Sequence, residues 1–473
     1  MANRYLCIHG HFYQPPREDP FTGQIPNESG AEPYRNWNER IHDECYRPNT
    51  VLRNFERISF NVGPTLCEWM ESFDPETLRG IINQDKASVQ RSDVGNAIAQ
   101  AYHHTILPLA TRADKVTQIY WGIADFVHRM GRRPLGMWLP ETAVDKETLS
   151  ILTEMGIRFT ILAPWQAESD ILDTTEAYRV LLPHDRSIAV LFYQRELSGG
   201  ISFNPGLTSN ADEFVQDEIL THFRTEKDRR GEPQLLLIAT DGELYGHHQK
   251  FRDQFLAHLV NGASEHRGVR RTVPGLWLRE NPPRRTIEIV ENTSWSCLHG
   301  VIRWMGPCDC NPGDGRWKIF LRQALNKLAA EMDLLYSDFL WRLDIDPWEL
   351  RNRYIEVILG STSVEALINQ VAGRALNSES LSQVSVLLQA QNERQKMFAS
   401  CAWYYDDFSR IEARNSLGHA ARAVWLTGQA TGIDLSPQLK HDLKFVTSQR
   451  TGLRGDTVFC QHLNKAEETK CRA

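Results

Sequence analysis

The sequence predicts an α/β fold, an incomplete seven-stranded parallel (β/α) barrel over residues 1–305 followed by an α-helical domain over 316–473. Three observations lead there. Up to about residue 300, short apolar runs alternate with longer stretches of helical periodicity, the pattern of strand–helix–strand units around a parallel sheet. Several runs are apolar without alternation, Leu235-Leu236-Leu237-Ile238-Ala239 most completely, as strands covered on both faces require. Beyond about residue 312 the strand-like runs stop and long periodicity near 3.6 residues takes over.

In chain order, strands are predicted at 4–9, 58–62, 88–92, 135–139, 159–163, 188–193 and 235–239, with helices over 114–129 and 145–155 among them. Pro282-Pro283 punctuates the end of the first domain, and the Pro- and Gly-rich stretch 307–315 marks the junction. Helices follow over 320–340, 347–359, 364–375, 380–398 and 415–427, and the polar tail beyond Thr447 reads either as loose or as the stump of a longer helical region.

A chain of 473 residues exceeds what one hydrophobic core usually organises, so two domains are expected. The net charge of -7 argues against a nucleic-acid binder, which needs a basic face for phosphate neutralisation. No apolar run reaches the 18 or so residues of a membrane span, and Tyr5-Leu6-Cys7-Ile8 is too short for a signal-peptide core. Nine cysteines, an odd number in a long chain, read as reduced thiols in the cytoplasm. The oligomeric state leaves no mark in the sequence.

Polar motifs gather where strands end. The first strand runs into His9-Gly10-His11, the fourth into Pro140-Glu141-Thr142, and the seventh into Thr240-Asp241-Gly242-Glu243. In a parallel barrel these ends share one face, where chemistry collects. Pro140 favours extended backbone at Leu139, so the strand persists up to Glu141. Gly242 permits a sharp turn or the close approach of a ligand. Two carboxylates, Glu141 and Asp241, on one face are what glycosidic-bond chemistry uses, one attacking the anomeric carbon and one moving a proton. The alternative reading makes both of them N-caps of the helices that follow.

His9 and His11, two apart on a strand, point to one side, where they could orient a hydroxyl or bind a metal. His103-His104 and His247-His248 are pairs of which one member need face a site. Trp138, Trp165 and Trp295 lie beside polar motifs and offer faces for a sugar ring, with core packing as the alternative. Cys297, His299, Cys308 and Cys310 form C-x-H-x8-C-x-C. These are four soft ligands for a structural Zn²⁺, though the spacings are tighter than usual and free thiols are the competing reading.

These motifs, in this order, resemble glycoside hydrolase family 57, the group of α-amylases, glucanotransferases and glycogen-branching enzymes. His9-Gly10-His11-Phe12-Tyr13-Gln14-Pro15 resembles the family's opening block, and Gly95-Asn96 with His104-Thr105-Ile106-Leu107-Pro108-Leu109 its second region. Trp138-Leu139-Pro140-Glu141 is similar to the third, Thr240-Asp241-Gly242-Glu243-Leu244-Tyr245-Gly246-His247 to the fourth, and Thr293-Ser294-Trp295-Ser296 to the fifth. The resemblance covers roughly residues 1–305 and implies a retaining mechanism with Glu141 as nucleophile and Asp241 as general acid/base. It implies a polysaccharide or oligosaccharide substrate of α-glucan type, with no cofactor and no catalytic metal. His9, His11, His104 and His247 would then contact sugar hydroxyls, Trp138 and Trp295 would form stacking walls, and Glu243 would help bind the substrate beside Asp241. Members with this opening commonly carry a helical domain of unknown function behind the barrel. Ala97-Ile98 stands where a glutamate often follows Gly-Asn, which leaves the choice of glucan open. Two other classes compete: a metal-dependent polysaccharide deacetylase-like hydrolase with His9, His11 and Asp241 as ligands, and a non-catalytic glycan-binding protein.

Overall fold

The computed structural model describes residues 3–470, which form two compact units. The first holds the chain up to Gln14, Asn27–Ala101 and Phe126–Ser296; the second holds Pro15–Pro26, Tyr102–Asp125 and the chain from Cys297 onward.

The first unit is α/β. Its strands are β1 (Arg4–Phe12), β2 (Ser59–Val62), β3 (Ala99–Gln100), β4 (Met137–Trp138), β5 (Phe159–Leu162), β6 (Ala177–Leu182), β7 (Arg186–Phe192), β8 (Gln234–Asp241), β9 (Val269–Arg271) and β10 (Arg285–Thr286). β1 lies between β2 and β8, parallel to both, and β9 pairs with its beginning. A second sheet runs β10-β6-β7-β5, and β3 pairs with β4 alone. Single bridges, Phe60 to Ala97 and Gly136 to Phe159, connect the three groups. A seven-stranded barrel is therefore not drawn as one closed ladder. β3 and β4 are two residues each, too short for continuous pairing.

The strand expected at 88–92 is helix instead. Asp74 caps a helix over Pro75–Ser92 by accepting from the Glu76 and Thr77 amides, and Pro75 fits its first turn. Helical bonding then carries through to Asp93. β6 and β7 form an antiparallel hairpin, with His184 and Asp185 both at positive φ in its turn.

The apolar runs end up where continuous hydrophobicity requires. Residues 234–240 of β8 are buried throughout. Leu235, Leu237 and Ala239 project into a core with Cys7, Ile161, Leu191 and Trp277. The register that follows sets the site: His11 lies opposite Asn61 of β2 on one side and Asp241 of β8 on the other.

The second unit is helical, as expected, and includes Arg316–Trp341, Val364–Ala372, Ser378–Lys396 and Ile411–Thr431. The helix read at 347–359 is two, Pro347–Arg353 and Ile355–Ile358. Of the two readings of the tail, the helical one fits, with a helix over Gly455–Lys470; residues 471–473 lie outside the described residues. Residues 102–125 join this unit because their polar groups are satisfied there. Asp114 accepts from Arg394 (2.7 Å) and Gln395 (2.7 Å), and Trp121 donates to the Asn352 carbonyl. Asp333 receives the other arm of Arg394 at 2.6 Å, and Arg351 approaches Asp114 at 3.2 Å. Such a buried charge network is sustained only while every member is paired.

Candidate active site

Glu141 sits on a turn directly after β4, with φ 58° and ψ 20°; Thr142 is also left-handed, at φ 48°. Side chains with a Cβ resist this region, at a cost of about 1–2 kcal/mol per residue. The buried Gln166 side chain holds the turn. Its Oε1 accepts from Thr142 Oγ1 (2.8 Å) and the Ala163 amide (2.8 Å), and its Nε2 donates to the Thr142 carbonyl (2.8 Å) and Thr293 Oγ1 (3.3 Å).

The segment 293–296 then wraps the carboxylate. Trp295 Nε1 donates to Glu141 Oε2 at 3.1 Å and Ser296 Oγ donates to the same oxygen at 2.6 Å. The Trp295 amide also donates to the Glu141 carbonyl at 3.0 Å. Two donors on one oxygen fix the carboxylate's direction and stabilise its negative charge.

Asp241 ends β8 and remains open to solvent. Its pKa is pushed up to about 7, first by desolvation and then by the charge of Glu141. The charge of Glu141 keeps the direction upward even where solvent reaches the residue. Neither acid is a helix cap of the kind the alternative reading required: Glu141 lies inside its own turn, and the Asp241 side chain accepts no cap hydrogen bond.

Beneath Asp241, Glu243 is buried, and its Oε1 accepts from Tyr46 Oη (2.7 Å) and the Tyr13 amide (3.1 Å). Burial, then the Asp241 charge, raises its pKa to about 8. Gly242 serves packing more than turning. A Cβ there would come within 2.4 Å of the Phe12 ring, so only glycine lets β1 and this turn approach.

His9 and His11 do share a side, but around a tryptophan. Their rings stack on Trp138 at centroid distances of 4.8 and 5.2 Å, and Trp295 meets the same indole edge-on at 5.0 Å. Trp138 is completely buried, so it has no open face for a sugar and forms floor rather than wall. His9 is equally enclosed: Ser59 Oγ lies 2.9 Å from Nδ1 and Asn61 Oδ1 lies 3.2 Å from Nε2. With both ring nitrogens engaged, His9 is not placed to touch a hydroxyl or a metal. Burial pushes both histidines down to about 3, so they are neutral near pH 7. Trp295 is half-buried and keeps an accessible part. His247 Nδ1 is hydrogen-bonded to Glu44, and Trp37 packs on its ring at 6.0 Å. His104 falls in the helical unit, where its Nδ1 meets Ser400 Oγ at 2.6 Å.

Residues the sequence reading passed over carry much of this support. Ser296 stands inside the Thr293-Ser294-Trp295-Ser296 motif, where spacing alone assigns it no role. Asn61, which bonds both histidines and donates to Gln100 Oε1 at 2.6 Å, had one signal, an amide in a short apolar strand. A cavity of about 1000 Å³ opens elsewhere in this unit, at the Arg4 end of β1, lined by Arg57, Arg91, Arg270 and Arg271 among others. It contains neither acid.

Residues 7–289 match Glycosyl hydrolase family 57, well over half of the chain. The chain belongs to glycosyl hydrolase family 57. Residues 314–472 match a second family, described as Domain of unknown function (DUF3536). Among curated relatives of this family 57 chain, a 4-alpha-glucanotransferase of Thermococcus litoralis is 23% identical over 190 residues, 36% of this chain and 27% of its own. An alpha-amylase of Pyrococcus horikoshii is 25% identical over 205 residues, 40% of this chain and 31% of its own. The matched stretch thus spans less than a third of either relative. Among solved structures, an exo-type maltose-forming amylase from Pyrococcus sp. ST04 superposes with a TM-score of 0.75 at 15% identity, covering 97% of this chain and 88% of that one. The family 57 chain therefore shares that fold across both of its units. Among the described residues, no helix is long and apolar enough to cross a membrane.

Proposed function

We propose that this family 57 chain is a retaining enzyme of α-glucans, in which Glu141 is the nucleophile and Asp241 the general acid/base. The observation that carries this reading is the division of labour between the two acids. Glu141 is held in one direction by Trp295 and Ser296, while its charge helps to keep a proton on Asp241. The 4-alpha-glucanotransferase and alpha-amylase named among its relatives support an α-glucan as substrate. The arc from β1 through β2, β3, β4, β5 and β7 to β8 supports an incomplete seven-stranded barrel, with Gln194 N–H, two residues past the end of β7, donating to the Leu237 carbonyl of β8 at 2.7 Å.

In the first step, the Glu141 carboxylate attacks the anomeric carbon as Asp241 gives its proton to the departing glycosidic oxygen. Esterification then removes the negative charge of Glu141. Asp241 loses that part of its upward push and becomes a better carboxylate at the moment a base is needed. In the second step it takes a proton from water or from a sugar hydroxyl, and the acceptor's oxygen displaces Glu141. Water as acceptor gives hydrolysis; a glucan hydroxyl gives disproportionation or branching.

Incubating the purified chain with amylose, glycogen and maltooligosaccharides, then resolving the products by chain length and linkage, tests the reading. Shortened or rearranged α-glucans are expected. Binding without any product would replace the enzyme with a glycan-binding protein, and activity lost to chelation and restored by Zn²⁺ alone would favour a metal-dependent hydrolase.

A further inference from the structure

We propose that Cys297, His299, Cys308 and Cys310 hold one structural Zn²⁺ ion. In the second unit, two short arms of chain face each other, Cys297-Leu298-His299 and Cys308-Asp309-Cys310. Between them the backbone reverses through Gly300, at positive φ, and a short 3-10 turn over Ile302–Trp304. Cys297 Sγ lies 3.4 Å from Cys308 Sγ, and His299 Nδ1 lies 3.3 Å from both Cys308 Sγ and Cys310 Sγ. All four ligand atoms fall within 4.8 Å of one another, the one such group of three or more His, Cys, Asp or Glu among the described residues.

These separations suit a metal better than the alternatives. Tetrahedral zinc, with Zn–S of about 2.3 Å and Zn–N of about 2.0–2.1 Å, sets neighbouring ligand atoms roughly 3.5–3.8 Å apart. A disulfide would bring two sulfurs to about 2.05 Å, far inside the 3.4 Å found here. Three thiols and an imidazole, with no carboxylate in the set, are a soft donor group that selects zinc over magnesium or calcium. Four protein ligands also close the coordination shell, the mark of a structural rather than a catalytic site.

The surrounding chain is arranged for charge as well as shape. Three thiolates around one Zn²⁺ leave a single negative charge. Arg303 Nη2 donates to the Cys310 carbonyl at 3.3 Å, and Lys318 Nζ donates to the Arg303 carbonyl at 3.1 Å, so two cations stand against the loop. The Asn311 amide donates to the Cys308 carbonyl at 2.9 Å, which turns the second arm inward. The ion would tie the two ends of this loop together ahead of the long helix Arg316–Trp341.

The test is metal analysis of the full chain purified under reducing conditions without chelator. About one zinc per chain is expected, lost in His299→Ala and Cys310→Ser and kept in Cys401→Ser. Because those variants could misfold for other reasons, the unaltered chain is also stripped of metal and titrated with Co²⁺. A stoichiometric thiolate-to-cobalt charge-transfer band with the visible bands of a tetrahedral site is expected. A reduced chain without zinc that gives no such band on adding Co²⁺ would overturn the proposal, and so would a Cys297–Cys308 disulfide found in chain isolated directly from cells.

Discussion

Ser296 Oγ lies 2.6 Å from Glu141 Oε2, although 155 positions separate the two residues in the chain. The short bond closes a ring of support that begins with Gln166 and the left-handed turn, and passes through Trp295. Ser296→Ala removes one donor from the proposed nucleophile. A loss of about tenfold in kcat is expected, the equivalent of about 1.4 kcal/mol in the barrier, with KM little changed. Steady-state kinetics on maltooligosaccharides checks this; a change confined to KM would move Ser296 from nucleophile support to substrate binding.

The raised Asp241 pKa gives the pH profile a direction. An acid with a pKa near 7 holds its proton below that value and releases it above. Because the first step needs the protonated form, kcat/KM should fall about tenfold per unit as pH rises past about 7. In Glu141→Gln the neighbouring charge is gone, so the Asp241 pKa should drop. Carboxyl-carbon NMR titration of the two proteins reads this shift. An unchanged or higher value in the variant would show that the two acids do not interact.

Gln166 holds a strained turn without touching the reaction. Gln166→Leu leaves the Thr142 carbonyl, Thr142 Oγ1 and the Ala163 amide without this partner, for a stability loss of about 2–4 kcal/mol. Chemical denaturation measures it. Glu141 should also lose its fixed direction, so kcat should fall in protein that is still folded.

Arg394 bridges Asp114 and Asp333 inside the helical unit. Arg394→Leu leaves two buried carboxylates with Arg351 as their one shared cation, and about 3–5 kcal/mol of stability should go with it. Urea denaturation of the variant provides the check, a change under 1 kcal/mol being incompatible with a network in which each charge depends on its partners.

Much of this was legible in the residues. Glu141 and Asp241 stood out because acids at the ends of apolar strands have no packing reason to be there, and β8 covers the run from which Asp241 was read. Neighbourhoods were harder. Trp138 beside a motif reads equally as wall or floor, and only its complete burial under the stacked rings of His9 and His11 decides for floor. The 88–92 segment looked like a strand because one Val among polar residues carries no period of its own, while its helix is set fourteen residues earlier by Asp74. β3, at two residues, is too short to leave a pattern, whereas β4 lies inside the apolar run at 135–139. Ser296, Gln166 and Asn61 act through contacts made across long stretches of chain, which spacing does not encode.

The proposed mechanism requires a covalent sugar ester on one named side chain. Incubation with a fluorinated glucosyl fluoride, which forms such esters faster than it releases them, followed by peptide mass spectrometry, locates it. A single fluoroglucosyl adduct on Glu141, absent from Glu141→Gln, is expected. An adduct on Asp241 or Glu243, or turnover of the reagent by Glu141→Gln at the normal rate, would contradict the mechanism.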